Sequence, residues 1–444
     1  GGEGGGEAQR LWLRRLGSGC EALCAGGNTG LVLAVSEGGA SIEAALVSSG
    51  EIAWQRGPPA AGRLIMSAAL SPDCRDGGRL AVGTDRAEVH LWRATTAEPL
   101  TFVSLSPPPA GLAASAPSSS TASVQQWVER ITWSANGRRV GAAAGRSVVI
   151  ASGETGEAMA RWEAPGTVYS LAFASTPPAA EGGAHDAGDA ADAAALAIGA
   201  YGGVSWLAEA CAGGEGGGRA PLVIGAAAVL SVAISPDGRQ LAAGCLDKRI
   251  RFFPLCAPPD RAADPTALDG AVPAVARDWV GFEGAVAAVA WSDCSTWVAA
   301  AGGRMLLAVP RALPPGEPPT LLCVARGGIA QQPPMSAIAW CPAGGGGGLG
   351  EGLLAAVEAG RSCRAHLFKV ALSSDTLPRR AAPIASFDLS AGSAHAALAH
   401  PRLAFARAMA LPLSASGNGE GPSSSPSPPL ALLISAGDAL AAVS

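Results

Sequence analysis

The chain has 444 residues, a formal charge of −5 and 48% hydrophobic residues, enough apolar side chain for a large core. The mild acidity argues against a dedicated nucleic-acid binder, which carries a basic face. No run of about 18 apolar residues free of charges and breakers marks a membrane span.

Residues 1–8 are Gly-rich and are expected to form a flexible N-terminal stretch. They lack the basic-then-apolar pattern of a signal peptide. The chain starts at Gly1 without an initiator Met, so it is expected to be a fragment or a processed product, with organelle targeting left open. Residues 9–14 read as a short strand, and 31–35 and 41–46 as two more. From there a frame repeats. Residues 66–73 with 80–92, 128–137 with 140–150, 168–173 with 196–206, 286–293 with 297–309, and 336–342 with 353–368 all fit it. Residues 406–411, 430–434 and 439–443 form a weaker copy.

The clearest unit runs from Val229 to Phe253. Residues 229–234 are a short apolar strand. Ser235-Pro-Asp-Gly238 is a tight turn, in which Pro presets φ and Gly accepts positive φ. Residues 241–244 make a second strand, and Arg249-Ile-Arg-Phe252 alternates polar and apolar as a half-buried third strand does. The tightest spacing between equivalent turns is about 40 residues, in the propeller range.

The S-P-D-G turn, the L-A-x-G second strand and a third strand closing on Trp together resemble the WD-repeat family. The resemblance covers roughly Leu11 to Ser444. Segments 127–134 and 200–206 look similar to single-propeller WD-repeat proteins of bacteria and photosynthetic organisms. It implies an all-β propeller of seven or eight four-stranded blades over residues 9–444, with eight candidate units in view. It also implies closure by residues 9–14 as outer strand of the last blade. The pattern departs from the family in lacking a Trp-Asp dipeptide at a third-strand end and a Gly-His dipeptide opening a repeat. The blades are therefore expected to rely on apolar packing more than on the family's Asp-His-Ser-Trp network.

Polar or Gly/Pro-rich insertions at 107–123, 175–192, 211–219, 257–275, 312–319, 343–352 and 412–428 are expected to be disordered loops. With strands A to D in each blade, A–B and C–D turns lie on one face of the disc and B–C and D–A turns on the other. All insertions except 107–123 are assigned to the A–B/C–D face. The B–C turns carry Arg86, Arg146, Lys248, Arg249, Arg304 and Arg361. This rim is the candidate partner-binding site, suited to an acidic or phosphorylated segment. The competing reading is that charged turns simply keep the edges soluble.

Catalytic patterns are sparse. His185 lies in an insertion near Asp186, Asp189 and Asp192, His395 and His400 lie near the end, and His90 and His366 fall on third strands. No G-x-S-x-G elbow or P-loop is present. Cys20 and Cys24 are the only closely spaced pair among ten cysteines, with no zinc spacing, which fits reduced thiols in an intracellular, cytoplasmic protein. Most of the eleven tryptophans sit at equivalent strand positions and are expected in the core. The functional expectation is a non-catalytic scaffold for protein partners, possessing no cofactor or metal site and binding neither nucleic acid nor membrane. Its oligomeric state is left open. The alternatives are a propeller enzyme or a small-anion sensor with its site in the central channel.

Overall fold

The computed structural model describes residues 10–15, 20–25, 30–73, 77–106, 126–174, 196–207, 227–255, 277–311, 320–324, 335–340, 351–358, 364–371, 383, 385–388, 402–407, 430–436 and 439–443. Its strands run in chain order through eight antiparallel sheets. β1 (Arg10–Arg15) comes first. Blade 1 holds β2 (Cys20–Ala25), β3 (Leu31–Ser36), β4 (Ile42–Leu46) and β5 (Ile52–Arg56). Blade 2 holds β6 (Ile65–Leu70), β7 (Arg79–Thr84), β8 (Glu88–Arg93) and β9 (Pro99–Ser104). Blade 3 holds β10 (Val128–Trp133), β11 (Arg139–Ala144), β12 (Ser147–Ser152) and β13 (Ala158–Glu163). Blade 4 has three described strands, β14 (Val168–Phe173), β15 (Leu196–Ala200) and β16 (Gly203–Leu207). Blade 5 holds β17 (Val229–Ile234), β18 (Gln240–Cys245), β19 (Arg249–Pro254) and β20 (Arg277–Val280). Blade 6 holds β21 (Val286–Trp291), β22 (Trp297–Gly302), β23 (Met305–Pro310) and β24 (Thr320–Val324). Blade 7 holds β25 (Met335–Trp340), β26 (Glu351–Glu358), β27 (Arg364–Ala371) and β28 (Ala385–Asp388). Blade 8 combines β29 (Arg402–Arg407), β30 (Leu430–Ala436) and β31 (Ala439–Val443) with β1 on its outer edge.

The first strand of each blade touches the first strand of the next, and β29 touches β2, so the ring closes at eight blades. Closure by the N-terminal strand is as expected: β1 runs antiparallel to β31, with Trp12 opposite Ala442. The first strand of the last blade is Arg402–Arg407, earlier than the expected 406–411. The alternation of Leu403 and Phe405 with alanines, between two arginines, carries that strand; residues 408–411 lie outside the described ones.

A propeller solves a burial problem. One small sheet cannot bury both faces, and a ring of them can. Each described core cluster accordingly straddles two neighbouring blades. Leu91 and Ala81 of blade 2 pack with Val128, Trp133 and Val149 of blade 3. Ile250 and Phe252 of blade 5 pack with Val289 and Trp291 of blade 6. Burying one such side chain stabilises by about 1.5–3 kcal/mol.

Three local devices repeat around the ring. In blades 1 to 7 the register slips after the first residue of the innermost strand, for example between Val128 and Arg130 and between Val229 and Ser231. This β-bulge adds twist and re-aims one side chain. At the other end of that strand, indoles staple blades together. Trp133 Nε1 donates to Ala69 O at 2.9 Å, Trp291 Nε1 to Ala233 O at 3.0 Å and Trp340 Nε1 to Ala290 O at 3.1 Å. Serines in mid-strand make a second set of links: Ser67 Oγ donates to Val128 O at 2.7 Å, while Ser170 Oγ and Ser231 Oγ accept from the N–H groups of Val232 and Val289, each at 3.1 Å.

The S-P-D-G turn folds as its residues dictate. Ser235 Oγ accepts the Gln240 N–H at 2.9 Å and donates to Asp237 Oδ1, and Gly238 takes φ of 67°. Ser134 and Asn136 repeat this in blade 3. In blade 6 Ser295 holds the equivalent positive φ of 59° and its Oγ accepts the Asp237 N–H at 3.0 Å. The hydroxyl therefore ties that turn to blade 5, which a glycine would not do.

Candidate interaction face

Antiparallel order puts every B–C turn at the end of the blade where D–A connections arrive. The two are joined by backbone hydrogen bonds: Asp85 N–H to Leu64 O at 3.2 Å, Tyr201 N–H to Thr167 O at 3.0 Å, and Leu246 N–H to Ala228 O at 2.8 Å. The face is thus a set of paired loops held by the blades beneath them. In the strand order the 175–192, 257–275, 312–319 and 412–428 segments connect first to second or third to fourth strands. Residues 343–350 also fall in such a connection, with 351–352 inside β26, whereas 107–123 joins blades 2 and 3 on the B–C side. Residues 211–219 follow the third strand of blade 4. Apart from 351–352, these insertions lie outside the described residues.

The basic turn residues are on this face, in contrasting surroundings. Arg304 makes a two-pronged contact with Glu283 Oε2, Nη2 at 2.6 Å and Nε at 2.8 Å. Arg249 Nη1 meets Asp278 Oδ2 at 2.6 Å, and Arg251 grips Asp247 with two bonds, 2.6 and 3.1 Å. Arg146 Nε donates to Ala164 O at 2.9 Å and lies 3.7 Å from Glu163. Glu163 and Asp278 come from outer strands, Glu283 from a D–A connection and Asp247 from the B–C turn itself. Arg86 and Lys248 are exposed and have no carboxylate partner among the described residues. Arg361 lies outside the described residues.

Sequence reasoning missed the apolar part of the face. Leu64 is 43% exposed, Trp127 44%, Tyr201 57% and Leu246 53%. The other exposed large hydrophobic residues among those described, Ile52, Leu100, Phe102, Met159 and Val280, sit on outermost strands. No large hydrophobic residue is exposed in the described turns of the opposite face. Four apolar side chains with Arg86, Arg146 and Lys248 make the composition that favours contact: aromatic and Arg enriched, like charges dispersed. The available signal was Trp127 standing just before a strand whose own last residue, Trp133, already fills the core position.

The channel wall between blades 1 and 4 has two recesses that share Ile131. One, of about 280 Å³, lies toward the B–C face and includes Met66, Trp127, Glu129 and Arg130. The other, of about 480 Å³, is lined mainly by apolar groups, among them Leu70, Trp133 and Phe173. Trp127 Nε1 donates to Glu129 Oε1 at 2.7 Å, and Arg130 Nε donates to Tyr169 O at 2.6 Å.

The other described residues singled out from the sequence sit within the blades. Cys20 and Cys24 share β2; burial, and then the neighbouring Cys20, push the Cys24 thiol up to about 12, far from thiolate reactivity. His90 is on β8, stacked on Phe102 with centroids 5.5 Å apart, and burial lowers its pKa despite the Glu88 contact. His366 is on β27 and bonds Ser386 at 2.8 Å. Trp92 is fully buried, its ring 5.1 Å beneath the Arg56 guanidinium. His185, Asp186, Asp189, Asp192, His395 and His400 lie outside the described residues. No helix among the described residues is long and apolar enough to cross a membrane.

The WD domain, G-beta repeat family (WD40) matches residues 222–253, which span the first three strands of blade 5. No curated protein matches the chain. Among solved structures, the C-terminal WD40 domain of Sif2 is similar, with a TM-score of 0.61 at 12% identity, covering 98% of this chain and 97% of that one. At such identity the likeness concerns the fold alone. Residues 222–253 thus match a WD40 repeat, and the ring as a whole has the fold of a WD40 β-propeller domain.

Proposed function

We propose that this propeller is a non-catalytic scaffold that docks protein partners on its B–C face, as a subunit of a larger assembly. The observation that carries the reading is the segregation of exposed apolar side chains: away from the outermost strands they occur on that face only, among the described residues, beside the basic turns. Propellers host many functions, so the fold alone is analogy; the face is the specific argument. The basic rim of Arg86, Arg146, Lys248, Arg249, Arg304 and Arg361 supplies steering charge for an acidic or phosphorylated partner segment. A small-anion site in the channel is less well supported, because the Arg130 guanidinium there is engaged by backbone carbonyls.

The test is a tagged capture with mass spectrometry, comparing the native chain with Arg146→Glu/Lys248→Glu/Arg304→Glu at matched thermal midpoints. Loss of partners in the reversed form alone is the expected result. Retention of the same partners at the same yield would refute docking through this rim.

A further inference from the structure

The exposed apolar residues of the face are not scattered around the ring. Leu64 belongs to blade 2, Trp127 to the approach to blade 3, Tyr201 to blade 4 and Leu246 to blade 5, four consecutive blades. The two basic residues lacking a carboxylate partner stand at the ends of the same arc. Arg86 is on the turn whose Asp85 is bonded to Leu64 twice, by Oδ1 to the Leu64 N–H and by N–H to the Leu64 carbonyl, each at 3.2 Å. Lys248 is on the same turn as Leu246. Each end of the arc thus pairs an exposed leucine with an exposed cation that makes no carboxylate contact among the described residues, and two aromatic rings lie between them.

The acids of the arc are already occupied. Asp85 holds the Leu64 N–H, Glu129 holds the Trp127 indole, Glu163 faces Arg146 and Asp247 is gripped by Arg251. Asp85 and Glu129 bond neutral N–H groups and keep their charge, whereas the Arg86 and Lys248 side chains have no carboxylate partner among the described residues and remain available to one. In the next blade the Arg304–Glu283 pair closes the basic position internally.

We infer that blades 2 to 5 bind one extended, Asp/Glu-rich protein segment carrying apolar side chains. Its carboxylates meet Arg86 and Lys248, and its apolar side chains cover Leu64, Trp127, Tyr201 and Leu246. The segment follows the rim rather than entering the channel. The inference rests on the B–C face being the docking face, and it names the partner's chemistry. Apolar anchors supply affinity, while the charges set orientation and encounter rate.

Fluorescence anisotropy with synthetic peptides tests this on the full chain. The probe is a labelled peptide alternating Glu with Leu and Trp; the comparison peptides replace Glu by Lys, by phosphoserine, or the apolar residues by Ser. The Glu peptide is expected to bind best, and Arg86→Glu/Lys248→Glu to weaken it by at least about tenfold. Trp127→Ser/Tyr201→Ser is expected to weaken it comparably without altering its salt dependence. Equal binding of the Lys peptide, preference for phosphoserine alone, or indifference to both double variants overturns the inference. So does failure of every peptide to bind. If the peptides fail while the capture above still depends on the rim, the docking face stands and only the partner chemistry falls.

Discussion

Replacing Gly244 by Ala probes the blade interface at one methyl group. Gly83, Gly199 and Gly244 are the penultimate residues of the second strands β7, β15 and β18, and each lies against the innermost strand of the next blade. A Cβ at Gly244 would stand 2.8 Å from Val286 O, 2.9 Å from Val286 Cγ1 and 3.1 Å from Val289 Cγ1. Carbon atoms prefer about 3.5–4.0 Å, so the neighbouring strand must retreat by roughly half an ångström or more. One obstructing atom is backbone and the others belong to stiff β-branched side chains. Overpacking of this kind costs about 1–3 kcal/mol, and the entropy that Ala removes from the unfolded chain returns less than about 1 kcal/mol. Gly57→Ala is the matched control: its nearest atom, Ala40 O, is 4.0 Å away. Urea unfolding followed by tryptophan fluorescence should show a clear fall in midpoint for Gly244→Ala and almost none for Gly57→Ala. A Gly244→Ala protein that unfolds with the wild type would refute the claim that these glycines exist for blade contact.

Trp291→Phe removes the indole bond to Ala233 O while keeping most of the packing, and should cost about 1 kcal/mol in thermal or urea unfolding; a neutral result would mean the staple adds nothing. Asp237 tests acid stability. Burial raises its pKa, but the Ser235, Arg311 and Arg239 contacts and the Arg311 charge outweigh this and leave it below the ordinary carboxylate value. Its stabilisation is therefore present above the unfolded pKa of about 3.9 and is lost as pH falls through the lower folded value. The gap in melting temperature between wild type and Asp237→Asn should shrink as pH drops below about 4, and a gap that widens would contradict the sign. Burial holds the Cys24 thiol at about 12 and the Cys245 thiol at about 11, whereas Cys294 is exposed. Iodoacetamide labelling read by mass spectrometry should therefore modify Cys294 before Cys24 and Cys245.

The fold was legible where the signal is local. A Ser-Pro-Asp-Gly turn followed by an apolar strand specifies its hydrogen bonds within a few residues, and Ser235 makes them as its sequence implies. Cys20–Ala25 escaped notice as an innermost strand because no such turn follows it. Outer strands such as Ala158–Glu163 alternate between exposed and half-buried positions and carry a weak apolar pattern. The basic turns were visible in the sequence, but their partners were not: Glu163, Asp278 and Glu283 reach them only after a strand has folded back or the chain has crossed to the next blade. Tyr201 and Leu246 follow apolar second strands in the sequence, and only the ring geometry leaves them facing outward. The blade number was likewise a matter of closure, decided by the contact between β29 and β2.

The central claim is that partners meet this propeller on its B–C face. A photo-crosslinking amino acid placed singly at Tyr201, at Leu246, and at Asn136 on the opposite face measures that directly in cell extract. The account predicts crosslinked partner bands from positions 201 and 246 that share the same protein, with position 136 silent. Partner bands from position 136 alone would contradict it.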